Sequence, residues 1–179
     1  RSSYRPETRN TPRAANENAS SGIEKTRRTD EYASESQECP AEYMTAARIE
    51  LAQSFFQYPL DEFQLQAMAT IEAGDNVIVC APTGAGKTAV AEYAIERALQ
   101  EGQRCFYTTP LKALSNQKYH DFCKQFGDDA VGLLTGDVSV SRNAKIVVMT
   151  TEVYRNMLYG TSLGDVQRSL RGVRSVILD

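Results

Sequence analysis

The chain has one histidine and four cysteines (Cys39, Cys80, Cys105, Cys123), and no two cysteines form a Cys-x-x-Cys pair. This argues against a structural zinc site, which takes four Cys or His ligands. Scattered, unpaired thiols suit the cytoplasm or another reducing intracellular compartment. No run of about 18 apolar residues occurs, so no segment reads as a membrane-spanning helix. An excess of positive charge is also lacking. Twenty Lys and Arg stand against 23 Asp and Glu, for a net charge of -3, which excludes a wholly basic, histone-like protein but leaves room for a local basic patch. The 179 residues, 41% of them hydrophobic, are room for one globular domain. The first residue is Arg1 and the last, Asp179, directly follows an apolar run, so both ends read as cut.

Large apolar side chains are nearly absent from residues 1–42, where Ile23 is the one member of the set Val, Ile, Leu, Met and Phe. Seven basic residues stand there against eight acidic ones. Such a segment buries too little to offset the entropy of ordering, and it reads as a disordered polar tail. A transit peptide would be poor in acidic residues, and this segment is not. The folded part is expected to span residues 43–179.

From Tyr43 onward, short apolar runs alternate with amphipathic stretches. The runs cover residues 77–81, 104–109, 130–135, 145–150 and 175–179. Ala91, Ala94, Ile95, Ala98 and Leu99 make one helical stripe that stops at Gly102. Tyr119, Phe122, Cys123 and Phe126 make another, stopping at Gly127. Continuous apolar strands separated by helices predict a parallel sheet covered on both faces, an α/β fold. Cys80 and Cys105 fall within strand runs and are expected to be buried, inert thiols. His120 has no metal partner at hand and reads as a surface residue.

The strongest local signal is Ala81-Pro82-Thr83-Gly84-Ala85-Gly86-Lys87-Thr88, between an expected strand and an expected helix. That context identifies a Walker A phosphate loop, although Ala81 stands where the strict pattern has Gly. Gly84 and Gly86 let backbone N–H groups close around a phosphate, and the positive end of the following helix favours the anion. Lys87 can reach the β- and γ-phosphates, and the Thr88 hydroxyl can ligate Mg²⁺. A nucleoside triphosphate, with Mg²⁺, is the expected cofactor.

Four further segments follow in order. They are Thr109-Pro-Leu-Lys-Ala-Leu-Ser-Asn-Gln-Lys118, Leu134-Thr-Gly-Asp137, Val148-Met-Thr-Thr-Glu-Val-Tyr-Arg-Asn-Met-Leu158 and Val176-Ile-Leu-Asp179. With the phosphate loop they resemble motifs I, Ia, Ib, the segment after Ib and the start of motif II of superfamily-two helicases. The form of the second segment is similar to that of the Ski-two-like (superkiller-type) DExH-box RNA helicases. The resemblance spans residues 58–179. It implies a three-layer RecA-like domain with a parallel sheet, truncated on its C-terminal side, whose second RecA-like partner is not in this sequence. It implies ATP binding by Ala81 to Thr88, with Lys87, Thr88 and Asp179 as catalytic residues and Thr88 and Asp179 on the metal. Pro110, Lys112, Asn116, Gln117, Thr135, Gly136 and Thr151 would face a single-stranded RNA backbone. A further strand, following motif II, would insert between the phosphate-loop strand and the strand ending at Asp179. Without it, and without the second domain, this chain by itself is expected to bind nucleotide weakly and not to hydrolyse it.

Several of these residues also have plain structural readings. Thr109 before Pro110 reads as N-cap followed by N1, which would start a helix there. Gly136 permits a turn after a strand. Thr150 and Thr151 can cap the next helix. Asp61 with Gln64 makes a capping box, and Leu60 with Leu65 a hydrophobic staple. The resemblance instead implies that Gln64 reads adenine, with Phe63 or Tyr58 as a stacking surface; the glutamine can do both only by changing partners. Three other functions stay open at this point: a DNA helicase of the same superfamily, a non-enzymatic nucleotide-binding module, and a small P-loop kinase or GTPase. The last would need an arginine-rich lid or an Asn-Lys-x-Asp guanine motif, neither of which is present.

Overall fold

The computed structural model describes residues 40–160 and 162–179. Of the polar tail read at residues 1–42, residues 1–39 lie outside the described residues, whereas Pro40 precedes a 3₁₀ turn, Ala41–Tyr43, that takes in Ala41 and Glu42. Two helices follow, α1 (Ala46–Ser54) and α2 (Glu62–Ala73). The capping box forms at α2: Gln64 Oε1 accepts from the Asp61 amide at 2.8 Å. Leu60 and Leu65 enter one apolar cluster, as the staple requires. Helix α3 (Lys87–Gln100) opens at the phosphate-loop lysine, and β1 (Arg104–Thr109) follows it after a turn through Gly102 at φ +67°. Then come α4 (Lys112–Phe126), β2 (Val131–Leu134), β3 (Ser139–Val140), β4 (Ile146–Thr150), α5 (Thr151–Leu158), α6 (Leu163–Leu170) and β5 (Val173–Leu178).

The strands make one sheet in the order β3-β2-β4-β1-β5, parallel throughout except for the short hairpin strand β3. The apolar stripes of α3 and α4 cover one face, where Ile95, Ala98 and Phe122 pack on Cys105, Tyr107, Val131, Ile146 and Val148. On the other face Val153, Tyr154 and Met157 of α5 pack against Phe106, Val147 and Met149. The alternation of strand side chains thus feeds two cores, giving three layers. Helices α1 and α2 bury a separate cluster against the outer side of α3, through Ala52, Met68, Val90 and Tyr93. Among the described residues no helix is long and apolar enough to cross a membrane.

Three sequence expectations fail. Residues 77–81 do not form a strand, because among the described residues they have no neighbour to pair with. A cavity of about 950 Å³ separates residues 76–79 from residues 174–178 of β5 and from Asp179, and Ile78 is 90% exposed. This is where the resemblance puts a further strand. Cys80 shares that stretch and is exposed rather than buried. Cys105, in β1, is buried as expected, and burial pushes its thiol up to about 12. The third failure is at Thr109. Helix α4 begins at Lys112 with extended Leu111 before it, and Thr109 Oγ1 instead donates to Leu111 O at 3.0 Å and lies 2.7 Å from Ser115 Oγ. The hydroxyl thus ties the strand end to the second turn of the helix instead of capping the first.

Helices α2 and α3 are locked together by Glu72 and Arg97, with Nε–Oε1 at 2.5 Å and Nη2–Oε2 at 3.1 Å. Burial alone would raise the Glu72 carboxyl, but the Arg97 guanidinium, together with the nearby Tyr93 hydroxyl and Arg174, outweighs it and holds the group below its ordinary value. A lowered folded value stabilises the fold above the ordinary glutamate range, and that contribution is lost as pH falls through the lowered value. Arg97→Ala should therefore cost about 1–2 kcal/mol at neutral pH, discounted because both groups keep some solvent contact. Thermal unfolding across pH checks it. The gap between wild type and variant should narrow below about pH 4.5, the ordinary glutamate value, and a gap that widens in acid would contradict the assignment.

Candidate nucleotide and nucleic-acid site

All four parallel strands end on the same edge of the sheet, and the candidate residues collect there. β1 leads into Pro110 and Lys112, β2 into Thr135 and Gly136, β4 into Thr151, and β5 into Asp179. Open α/β sheets place ligands at this edge, where helix N-termini and loops converge.

The phosphate loop takes the conformation its glycines allow. Gly84 stands at φ +85° and Gly86 at φ +80°, left-handed positions that other residues enter only at a steric cost. Gly86 is also the N-cap of α3 and brings no side chain to the amides that open the helix, so these are available to an anion. A Cβ on Gly86 would come within 2.6 Å of Gln64 Nε2. The Lys87 ammonium folds back over the loop, donating to Ala81 O at 2.6 Å and Pro82 O at 2.9 Å. Neither partner is a carboxylate, so an incoming phosphate can replace them with a stronger, charge-assisted contact.

Lys87, Thr88 and Asp179 line the same cavity, the one between the segment that leads into the loop and β5. The Thr88 hydroxyl and Asp179 carboxylate are hard oxygen donors. Together they fit Mg²⁺ delivered with a nucleotide, which keeps several waters and takes one or two carboxylates plus phosphate oxygens. Among the described residues no group of three or more His, Cys, Asp or Glu could hold a metal unaided.

Gln64 is 4% exposed and committed on both sides. Its Oε1 accepts from Asp61 and its Nε2 donates to Gly86 O at 2.9 Å. The amide links the capping box directly to the phosphate loop, so reading adenine would require it to exchange a partner. Phe63 is half-buried beside it, while Tyr58 is 50% exposed.

On the nucleic-acid side, Lys112 and Pro110 are exposed, and Lys112 pairs with Asp137. The Lys112 contact and the Thr135 hydroxyl hold the Asp137 carboxyl below its ordinary value. Thr135 is itself buried, donating to Asp137 Oδ1 at 3.0 Å and accepting from the Val138 amide at 3.2 Å. The structure therefore joins the second and third motifs through Asp137, a residue the sequence motif contains but whose partner spacing cannot reveal. Gly136 is not at a positive φ, and a Cβ there would meet nothing within 4 Å, so its turn does not demand glycine. Gln117 is exposed and Asn116 half-buried on α4; Thr151 is the exposed first residue of α5, whose N-cap is Thr150. His120 is exposed on α4.

Residues 61–179 match the model of the DEAD/DEAH box helicase family. The probable helicase HelY of Mycobacterium tuberculosis is 56% identical over 122 residues, which cover 68% of this chain and 13% of that protein. The ATP-dependent RNA helicase mtr4 of Schizosaccharomyces pombe is 48% identical over 124 residues, 69% of this chain and 10% of the relative. The chloroplastic DExH-box RNA helicase DExH15 of Arabidopsis thaliana is 47% identical over 127 residues, 70% of this chain and 11% of the relative. The chain thus spans about a tenth of the length of these curated relatives. Among solved structures, helicase Lhr of Mycobacterium smegmatis bound to single-stranded DNA and AMP-PNP superposes with a TM-score of 0.53 at 27% identity, over 75% of this chain and 20% of that one. The helicase MrfA, solved with DNA and AMPPNP, shares the fold at a TM-score of 0.56 and 20% identity, over 77% of this chain and 21% of that one. The phosphate loop, the strand-end motifs in register and a mostly parallel RecA-like sheet agree with these matches, and the chain belongs to the DEAD/DEAH box helicase family.

Proposed function

We propose that the protein containing this chain is an ATP-dependent RNA helicase, and that residues 43–179 belong to the first of its two RecA-like domains. The observation that carries this reading is the convergence of Lys87, Thr88 and Asp179 on one cavity, at the sheet edge that also presents Lys112, Thr135 and Thr151. In this reading Ala81 and Pro82 lead the chain into the loop, Thr83, Gly84 and Ala85 turn backbone N–H groups toward the phosphates, and Gly86 gives them the start of α3. Bound Mg²⁺ offsets phosphate charge. Lys87 meets the charge that develops on the terminal phosphoryl group, Thr88 and Asp179 hold the metal, and Gln64 and Phe63 receive the base once Gln64 releases a partner. The nucleic-acid strand lies across the carboxyl ends of β1, β4 and β2, contacted by Pro110, Lys112, Asn116, Gln117, Thr135, Gly136 and Thr151. RNA is favoured over DNA by the motif form at residues 109–118 and by the relatives named as RNA helicases. The solved relatives bound to DNA supply the second reading.

The test is ATP turnover by the intact protein with and without single strands of RNA and DNA of one sequence. Stimulation by RNA above DNA is expected, and no stimulation by either would overturn the helicase reading. Contacts to phosphates are indifferent to sequence and sensitive to salt. Lys112→Ala should therefore weaken binding to every sequence about equally and reduce the slope of log affinity against log salt by roughly one unit. A strong base preference, or an unchanged slope in the variant, would remove Lys112 from the strand's path.

A further inference from the structure

Tyr107 carries a buried hydroxyl that packing alone does not explain. The residue lies on β1 and is 1% exposed, with Val148 of β4 and Ile177 of β5 beside it in register. Phe122 of α4 meets its ring edge-on, with centroids 5.1 Å apart at 78°. The Lys118 ammonium stands 5.7 Å from the ring centroid. A ring held on these sides aims its hydroxyl in one direction, and it donates to Asp179 Oδ2 at 2.5 Å. The next residue of β1 completes the grip: the Asp179 amide donates to Thr108 O at 2.9 Å. Asp179 Oδ1 has no protein donor among the described residues, and the carboxylate and Tyr107 line the cavity that Lys87 and Thr88 share.

An exposed carboxylate at a strand end is free to rotate about two side-chain bonds. A donor fixed by packing selects one rotamer and leaves one oxygen toward the cavity, the arrangement by which outer groups orient metal ligands. Phenylalanine would fill the same space on β1; what tyrosine adds is this orientation. We propose that Tyr107 is a positioning residue for Asp179, holding its carboxylate in the rotamer that receives the nucleotide's Mg²⁺. The proposal rests on the reading of Asp179 as a metal-holding residue, and it separates from that reading by experiment.

Tyr107→Phe in the intact protein removes the hydroxyl and keeps the ring. The measurement is the equilibrium affinity for AMP-PNP as Mg²⁺ is varied, which involves no turnover. A hydrogen bond to a charged group is strong enough that its loss should raise the half-effective Mg²⁺ concentration about tenfold. Affinity without Mg²⁺ and the melting temperature should stay close to wild type. Asp179→Asn, measured in parallel, should shift the Mg²⁺ dependence at least as far. A normal dependence in Tyr107→Phe beside a shifted one in Asp179→Asn overturns the positioning role and leaves Asp179 its own. A normal dependence in both variants overturns the reading of Asp179, and the proposal with it. Equal loss of affinity with and without Mg²⁺ in Tyr107→Phe also overturns it, since that marks a general disturbance of the cavity.

Discussion

Replacing Lys87 with Ala in the intact protein should abolish nucleic-acid-stimulated ATP turnover, lowering it by roughly 10²–10³-fold or more, the cost of removing one preorganised group that meets transition-state charge. Fold stability should change little. The ammonium rests on two backbone carbonyls, Ala81 O and Pro82 O, and among the described residues it pairs with no carboxylate whose charge its loss would strand. Those two oxygens belong to an exposed loop, so water can take the lysine's place. The variant should also retain part of its nucleotide affinity, because the glycines and the amides opening α3 are unchanged. Phosphate release with and without RNA, AMP-PNP binding and thermal unfolding together check the three statements. Near-normal turnover would reduce the loop to a strand-to-helix turn. A large fall in melting temperature would show that the lysine acts mainly as a brace.

The parts of the fold legible in the sequence are those specified by local pattern. Helix α3 starts at Lys87 as the loop predicts, β1 spans the expected Arg104–Thr109, and α4 stops at Gly127, which stands at φ +89°. Each of these rests on apolar periodicity or on a glycine at a helix end. The failures lie where structure depends on a partner distant in sequence. Residues 77–81 have strand composition, but a strand needs a ladder neighbour, and across the cavity none is in reach. Cys80 is exposed for the same reason. The hairpin strand β3 has no signal in the sequence, since its two residues, Ser139 and Val140, carry no periodicity to read. At the site, the phosphate loop is legible from spacing alone, whereas roles for Lys112, Thr135 and Asp179 follow only from resemblance. The side-chain links among those residues were in neither. Lys112 with Asp137 spans 25 positions and Tyr107 with Asp179 spans 72, so only parallel strands brought to one edge could pair them.

Gly132 was also invisible to pattern, yet its replacement should have the largest effect on the fold. It lies in the middle of β2, opposite Val147 of β4. A Cβ there would stand 2.3 Å from Ser141 O and 2.9 Å from Val140 O. Both are backbone atoms of the return arm of the hairpin and cannot swing aside as a side chain would. Ser141 already holds a left-handed φ of +44°, so the arm has little slack to move into. Gly132→Ala should therefore cost about 2–3 kcal/mol, the upper part of the usual range for overpacking. The displaced hairpin should also carry a functional cost. Leu134 pairs with Ser139, and the Thr135 amide donates to Val138 O at 2.9 Å. Moving that arm drags the turn that holds Asp137 against Lys112. Nucleic-acid affinity should fall several-fold, while AMP-PNP affinity stays near wild type, because β2 is separated from β5 by β4 and β1. Gly136→Ala is the matched control, with open space at the Cβ position and an ordinary φ. It should change stability by no more than about 0.5 kcal/mol. Thermal unfolding and the two binding titrations on both variants decide the matter. Equal stability of Gly132→Ala and Gly136→Ala would mean that the hairpin yields freely. Equal loss of both ligands in Gly132→Ala would mean that the two ends of the sheet edge are not independent.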